Sequence, residues 1–388
     1  MTGSRRSAIS SRSSCPCASE RAEARLRPLV LETLATHALR NLAEVEVALA
    51  PGFNVFAGDN GQGKTNLLEA VYLLATSKSF RTSRLGELVA FGEPVAVVRG
   101  SLREGDDTRT QSIGLRGAAR APRVDGKRPR SLFDYAVRSP VVVFHPGEVA
   151  LSMGPSAERR RLLDRVALHL EPALLSELES YRRALRERQR ALETRGVGAR
   201  DLPDWEALTV DHGLRVAAGR ARAAGELGGH ASDGFQRIGA PGRGLELRYQ
   251  RAAPEERGAY LDALASTRVR DLARGSASIG PHRDDLGLEL GGRVAKGVAS
   301  QGQHRAIVLA LKSAEIEVVA RARGVRPILL LDDVSSELDA TRTAALFRFL
   351  RAHDGQVLLT TTRPDLIAVG DAGSRKDFTV DQGQVRGA

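Results

Sequence analysis

Short runs of apolar residues lie on both sides of the middle of the chain, whereas the middle itself alternates apolar and charged positions at helical spacing. The runs at 53–57, 140–144 and 327–331 predict buried strands, because several apolar residues follow one another. Weaker patterns predict further strands at 30–34, 43–49, 95–102, 111–115, 245–249 and 286–290, with 95–102 and 111–115 antiparallel. The run at 357–362 is expected to be the last strand and to close the core.

The middle of the chain predicts helices. Five apolar residues follow a heptad-like spacing, Leu174, Leu178, Tyr181, Leu185 and Leu192. Arginines flank this seam at Arg182, Arg183, Arg186, Arg188 and Arg190, and they form either a solvated helix surface or a DNA contact. A second helix starts at Pro203 and is expected to end near Leu227 at a glycine-rich break, and a third covers 254–274.

These patterns predict one α/β domain in two parts, 29–156 and 273–388, with an inserted, mainly helical lobe at 157–272. Residues 1–28 are polar, lack apolar periodicity and predict a disordered basic tail. No apolar run approaches the roughly 18 residues needed to cross a bilayer, so no membrane partner is expected. Two cysteines make no disulfide framework, which fits a reducing cytoplasm.

The formal net charge of the 388 residues is +11, which favours a polyanionic partner such as nucleic acid. The tail carries six arginines and two glutamates and so accounts for +4. The basic loop at 126–130 could contact DNA, with a solvated turn as its alternative.

One stretch carries the most specific chemistry, Gly58-Asp59-Asn60-Gly61-Gln62-Gly63-Lys64-Thr65. It matches the phosphate-binding loop G-x-x-x-x-G-K-[ST] between a predicted strand and a predicted helix. Glycines let backbone N–H groups turn toward a polyphosphate, and the helix N-terminus attracts the same anion. Lys64 would reach the β- and γ-phosphates, and Thr65 would place its hydroxyl on Mg²⁺.

A pair of acids, Asp332-Asp333, ends the apolar run at 327–331. In open α/β sheets, ligands bind at the carboxyl ends of parallel strands. Asp332 is expected to hold Mg²⁺, and Asp333 to orient or deprotonate an attacking water. The alternative is two acids that only cap a strand.

Ser300-Gln301-Gly302-Gln303 precedes a helix expected at 306–323. It resembles the signature motif of ABC-type ATPases, usually L-S-G-G-Q, from which Ala299 and Gln301 depart. Downstream, Ser336, Leu338 and Asp339 match the D-loop pattern S-x-L-D.

Together these motifs resemble the RecF family of bacterial recombination and replication-gap repair ATPases, which are related to SMC proteins. The resemblance runs from about residue 30 to the end. Five sequences carry it, GDNGQGKTNLLEA from Gly58, SKSFR from Ser77, GPHRDDL from Gly280, SQGQHR from Ser300 and LLLDDVSSELD from Leu329. Leu39-Arg40-Asn41-Leu42 departs mildly, because the family places an aromatic residue there.

The resemblance implies an α/β, ABC-type P-loop ATPase head with a mixed sheet. ATP with Mg²⁺ would lie on the loop of one subunit, and Ser300, Gly302 and Gln303 of a second subunit would complete the pocket. The ATP-bound homodimer would clamp DNA where single strands meet duplex at gaps or junctions. It would help load recombinase with the RecO and RecR mediators, support SOS induction, and release DNA after slow, DNA-stimulated hydrolysis.

Three alternatives remain. An ABC transporter ATPase normally has a switch histidine where this chain has Thr360-Thr361-Thr362-Arg363, and it needs a shorter separation between Lys64 and Asp332. An SMC-type structural ATPase needs more heptads than the lobe has. A non-hydrolysing, nucleotide-switched binding module stays open, because Asp333 is shorter than the glutamate usual in ABC proteins. The segment 280–285 is either structural or lines the nucleotide or DNA surface.

Overall fold

The computed structural model describes residues 26–238, 244–333, 347–348, 350, 353–367, 369 and 373–387. Within these ranges the chain forms a mostly parallel sheet, an antiparallel sheet, a helix between the two, and a helical lobe with a small sheet of its own.

The mostly parallel sheet carries the phosphate-binding loop. Its strands are β3 (Phe53–Ala57), β7 (Val141–Phe144), β12 (Ile328–Leu331), β13 (Val357–Thr361), β14 (Arg375–Asp381) and β15 (Gln384–Gly387), in the order β15-β14-β3-β13-β12-β7. All neighbours are parallel except β14 and β15. The prediction that the strand at 357–362 is the last one is wrong, since two more follow it. Three consecutive charged residues open β14, Arg375-Lys376-Asp377, and hide its strand pattern.

The antiparallel sheet contains β1 (Arg27–Leu39), β2 (Leu42–Ala48), β4 (Ala96–Glu104), β5 (Asp107–Arg116), β6 (Ala119–Val124) and the short β11 (Val325–Arg326). Its order is β11-β1-β4-β5-β6, and β2 pairs with β1; all these pairs are antiparallel except β11 with β1, which is parallel. Helix α1 (Lys64–Thr76) packs beneath it and shares one apolar core with both sheets, through residues such as Leu68 and Leu74. Strand β1 already begins at Arg27, within the stretch assigned to the tail.

The lobe is built on α4 (Ser156–Leu170), α5 (Leu174–Arg195), α6 (Leu202–Ile238), α7 (Arg257–Ser266) and α8 (Arg268–Arg274). A three-stranded sheet joins it, formed by β8 (Leu245–Gln250), β9 (Asp285–Leu290) and β10 (Arg293–Val294). Helix α10 (Gln301–Arg323) packs along α6. The described residues also include three short α-helices, α2 (Leu132–Val137), α3 (Ala150–Met153) and α9 (Ala295–Val298). The pairing of β8 with β9 joins residues on both sides of the predicted boundary at 272, and the division into domains stays a prediction.

Helix α6 is longer than its sequence predicts, because it continues through the glycine-rich stretch to Ile238. A glycine in a helix costs about 1 kcal/mol relative to alanine, which packing can offset. Two glycines of α6 are sites of close approach. A Cβ on Gly219 would lie 2.5 Å from a methyl carbon of Leu174, and one on Gly213 would lie 3.2 Å from the ring of Tyr181.

The helix predicted at 254–274 divides into α7 and α8 at Thr267, and α10 begins at Gln301, five residues before the predicted start.

The seam of α5 packs as predicted, but one of its flanking arginines does not face solvent. Arg188 is fully buried, and its guanidinium contacts Glu206 at 3.1 Å and Asp271 at 2.9 Å. It therefore belongs neither to a solvated face nor to a DNA-contacting face. Its heptad position could not show this, because both partners come from other helices.

Candidate functional site

The phosphate-binding loop follows β3 and opens α1, as its spacing predicts. Gly61 and Gly63 have φ values of 83° and 113°, a region in which a side chain would be strained, and Gly63 is the N-cap of α1. A Cβ on Gly58 would lie 2.2 Å from the carbonyl oxygen of Val380. The three glycines thus allow a tight turn whose N–H groups precede a helix N-terminus, the geometry of an anion site.

Lys64 is buried within this loop. Its Nζ donates hydrogen bonds to the carbonyl oxygens of Gly58 and Asp59, both at 2.7 Å. Burial lowers the pKa of Lys64, while the carboxylates of Asp333, Asp332 and Asp59 act in the opposite direction. The ammonium group therefore stands between the loop backbone and the acids at the end of β12, where it can meet a bound phosphate.

Thr65 and Asp332 meet although they are 267 positions apart in sequence. The Thr65 Oγ1 lies 2.8 Å from Oδ1 and 3.1 Å from Oδ2 of Asp332. Thr360 on β13 donates to the same Oδ1 at 2.8 Å, and the Asp332 N–H donates to the Phe144 carbonyl on β7 at 2.8 Å. Thr65 and Thr360 thus hold the carboxylate, and β7 holds the backbone of the same residue.

This pair fits Mg²⁺. The ion prefers oxygen ligands and is usually held by one or two carboxylates together with substrate phosphates and water. Among the described residues no group of three or more His, Cys, Asp or Glu could hold a metal by itself. A hydroxyl and a carboxylate beside a phosphate loop suit an ion that arrives with a nucleotide.

Asp333 follows directly, with an unusual backbone conformation. Its φ is 49°, in the left-handed region, and its N–H donates to Oγ1 of Thr360 at 2.9 Å. Thr360 therefore contacts both acids. It lies in the stretch where a transporter ATPase is expected to have its switch histidine.

Two turns contact the phosphate loop, and the sequence patterns did not predict these contacts. Both turns reach Gln62, whose backbone oxygen accepts from the Asn41 side chain at 3.2 Å and from the Gly383 N–H at 2.8 Å. Its side-chain oxygen accepts from the Gln382 N–H at 2.7 Å, and Asn66 donates to Asn41 at 2.7 Å. The β1–β2 and β14–β15 turns thus fix the loop. Both turns are far from the phosphate loop in sequence, so apart from the polar pair Arg40-Asn41 no local pattern indicated these contacts.

The segment starting at Ser77 and the β1–β2 turn share one buried acid. Glu69 of α1 has no exposed side-chain surface, and Arg40 contacts it at 3.0 Å. Arg81 reaches the same carboxylate at 3.4 Å, and Ser79 donates a hydrogen bond to it. These contacts tie α1 to both segments beside the loop.

The predicted signature residues form the N-terminal cap of α10. Ser300 is the N-cap of α10, and its Oγ accepts from the Gln303 N–H at 3.2 Å while Gln303 accepts from the Ser300 N–H at 2.9 Å. Ser300 is exposed, and Gly302 and Gln303 are half-exposed. Within the described ranges, no hydrogen bond joins these three residues to the phosphate loop. The predicted D-loop residues Ser336, Leu338 and Asp339 lie outside the described residues.

The segment 280–285 makes its contacts in the lobe. Gly280 has a φ of 137°, and a Cβ there would lie 2.5 Å from the Tyr181 hydroxyl. His282 lies 2.6 Å from the same hydroxyl through Nδ1, and Asp285 forms a two-point contact with Arg159 at 2.7 and 2.8 Å. These contacts favour the structural alternative for this segment.

Among the helices that the structure describes, none is long and apolar enough to cross a membrane.

The chain is similar to known proteins over most of its length. No family model matches the chain. "DNA replication and repair protein RecF" of Anaeromyxobacter sp. (strain Fw109-5) is 40% identical over 374 residues, covering 92% of this chain and 98% of that protein. The protein of the same name from Myxococcus xanthus (strain DK1622) is 40% identical over 366 residues, covering 92% and 96%.

Solved structures are similar as well. One of the recombination mediator protein RecF-ATP in the RecFOR pathway has a TM-score of 0.84 and 28% identity, covering 93% of this chain and 98% of that one. An Smc head domain from Pyrococcus furiosus has a TM-score of 0.55 at 15% identity, covering 93% and 96%, and it speaks for the fold alone. The predicted ABC-type α/β ATPase head is thereby confirmed.

Proposed function

This chain belongs to the RecF family of DNA replication and repair proteins, and from that premise we propose that it is an ATP-switched DNA clamp. Two chains would close around ATP and Mg²⁺, hold DNA at a single-strand gap or junction, and open after slow hydrolysis. The transporter alternative is set aside, because the relatives that match most of the chain carry the repair name.

One observation carries the proposal, the contact between the Thr65 hydroxyl and the Asp332 carboxylate at 2.8 Å. It joins the phosphate loop to the end of β12, where a phosphate-bound Mg²⁺ needs oxygen ligands. In this proposal Gly58–Thr65 bind the polyphosphate, Thr65 and Asp332 hold the ion, and Asp333 orients the attacking water. Bound Mg²⁺ would neutralise negative charge on the phosphates.

The second half of the pocket would come from the partner subunit. Ser300, Gly302 and Gln303 stand at the exposed N-terminus of α10, where N–H groups favour an anion. A nucleotide bound between two such surfaces couples dimerisation to ATP, since a ligand that binds only the dimer stabilises it by mass action.

The finer biological role rests on the relatives. A RecF structure is described within the RecFOR pathway, and we extend this to RecO and RecR as partners in loading recombinase, and to SOS induction. Work on chromosomal DNA would take place in the cytoplasm.

Two substitutions test the site. Lys64→Ala removes the cation that faces the phosphates and is expected to abolish ATP binding, measured by calorimetry. Ser300→Arg is expected to leave ATP binding by the monomer intact and to block the ATP-dependent dimer, measured by light scattering. Ser300→Thr is the matched control, because threonine keeps the N-cap. Dimerisation of Ser300→Arg with ATP would contradict the shared pocket.

A further inference from the structure

Positive charge is unevenly distributed along the chain. Residues 95–130 contain nine basic and four acidic residues, a net charge of +5 out of the formal +11 of the whole chain. The lobe at 157–272 is rich in arginine too, but its 21 basic residues are nearly balanced by 18 acids. Outside residues 1–28, which carry +4, the excess that could attract a polyanion is therefore concentrated in β4–β6 and the loop after them.

The strands of this segment have one buried and one outward side. Val98, Leu102, Ile113 and Leu115 are buried toward α1. Successive side chains on a strand point to opposite faces, so the intervening residues point outward. Three arginines on that side are exposed, Arg99, Arg116 and Arg123. We call these three, together with the exposed loop residues Lys127, Arg128 and Arg130, the basic sheet face.

Few of these cations are neutralised within the chain. Among the described residues, only two of the nine basic residues in 95–130 form ion pairs, Arg103 with Glu32 and Arg109 with Glu104. Arg123 donates to the backbone oxygen of Gly126 at 2.9 Å, which leaves its charge uncompensated. An unpaired guanidinium is available to bind phosphate.

The register places two of these arginines in one row. Arg99 on β4 pairs with Ser112 on β5, and Ser112 pairs with Arg123 on β6. Strand spacing separates the two arginine Cα atoms by about 10 Å. Other outward positions carry small or hydroxyl-bearing side chains, including Ser101, Thr110, Gly114 and Ala121. Such a surface is flat and open to a wide ligand, and hydroxyl groups also contact phosphates.

We propose that the basic sheet face binds the phosphate backbone of double-stranded DNA, which gives the clamp its contact with the duplex beside a gap. Proteins that hold single strands without sequence preference stack bases on aromatic side chains. Residues 95–130 contain no Phe, Tyr or Trp, so the chemistry present is that of backbone contact. This proposal rests on the proposed function, of which it assigns the DNA-binding surface.

The position of the face links it to the nucleotide. Strand β1 pairs with β4, and the β1–β2 turn carries Arg40 and Asn41, which contact α1 and the phosphate loop. One rigid sheet therefore spans from the loop to Arg99.

The test compares two double variants with the same change of charge. The first is Arg99→Ala with Arg123→Ala. The matched control is Arg183→Ala with Arg186→Ala, two exposed arginines of α5 that have no acidic partner among the described residues. Affinity for a blunt duplex and for an unstructured single strand is measured by fluorescence anisotropy with Mg²⁺ and a non-hydrolysable ATP analogue, over a series of salt concentrations.

We expect the sheet variant to lose duplex affinity by about tenfold or more and its salt slope to fall by about one for each phosphate contact removed. Single-strand affinity and ATP binding stay unchanged, the α5 control keeps duplex affinity, and Arg99→Lys with Arg123→Lys restores most of it. Wild-type duplex affinity in the sheet variant, or an equal loss in both variants, overturns this proposal and leaves the clamp standing. A wild-type protein that binds no DNA with ATP overturns both.

Discussion

The lobe and the basic sheet face both draw on arginine, and they use it in opposite ways. In the described part of the lobe thirteen arginines form ion pairs, against two basic residues in 95–130. The lobe therefore uses its charges to join its own helices, whereas the sheet leaves them facing outward. Arginine content alone does not identify a nucleic-acid surface; the distribution of the nearby acids does.

Burial sharpens the contrast. Arg188 joins α5 to α6 and α8 through Glu206 and Asp271, with all three side chains inside the lobe. Where the lobe meets α10, Arg165 contacts the buried Glu315 at 2.8 Å and Lys312 contacts it at 2.7 Å. Such pairs stabilise little compared with apolar packing, but losing one partner leaves a buried charge.

The largest expected effect is on folding, from Arg188→Met. This change keeps most of the side-chain volume, leaves the buried Asp271 without its cation and leaves Glu206 with Arg268 alone, which is expected to cost about 3–5 kcal/mol of unfolding free energy. Urea unfolding measures it. Arg186→Met, on the exposed side of the same helix, is the control and is expected to change stability by at most about 0.5 kcal/mol. Equal stability of the two variants would contradict the claim that the lobe depends on buried ion pairs.

A smaller effect is expected from Glu315→Gln, and it depends on pH. Burial alone would raise the pKa of Glu315, but Arg165 and Lys312 lower it from 4.5 to about 2. Because the folded pKa lies below the unfolded one, the carboxylate contributes stability above about pH 4.5 and loses it as the pH falls toward 2. The contribution at neutral pH is about 3 kcal/mol.

Thermal unfolding of wild type and Glu315→Gln between pH 2 and 7 measures this difference, which is expected to shrink toward acid. Glu317→Gln is the control on the same helix, since Glu317 is one-third exposed beside Arg326. A constant difference across that range would contradict the assigned role of the ionised group.

The smallest expected effect concerns the sheet. Glu46 of β2 is exposed and stands in the row of Ala35, Arg99, Ser112 and Arg123. Glu46→Gln removes a negative charge beside the basic sheet face, so duplex affinity is expected to rise by about two- to fivefold at low salt and less at high salt. Glu179→Gln, at an exposed position of α5, is the matched control. A gain of duplex affinity in Glu179→Gln alone would indicate that DNA binds to the lobe and not to the basic sheet face.

Much of the site could be predicted from sequence because its signals are local. The glycine spacing of 58–65 and the apolar run before Asp332 depend on neighbouring residues, and the structure brings Thr65 and Asp332 together. The roles of the site residues, including those of Ser300, Gly302 and Gln303, stay predictions.

Other features could not be predicted, since they depend on contacts between distant segments. Arg188 reads as one more helix-surface arginine until Asp271, 83 positions away, is brought beside it. Helix α6 keeps its course through its glycines because it packs against α5 and α10. Asn41 and Gln382 both contact Gln62 of the phosphate loop, although their turns come from opposite ends of the chain.

The most direct test of the proposed clamp is the mass of the protein in solution with Mg²⁺, with and without ATP, repeated with gapped DNA. We expect a 41.7 kDa monomer that becomes a dimer only with ATP and then holds the gapped DNA. A mass that does not respond to ATP would contradict the shared nucleotide pocket and, with it, the clamp.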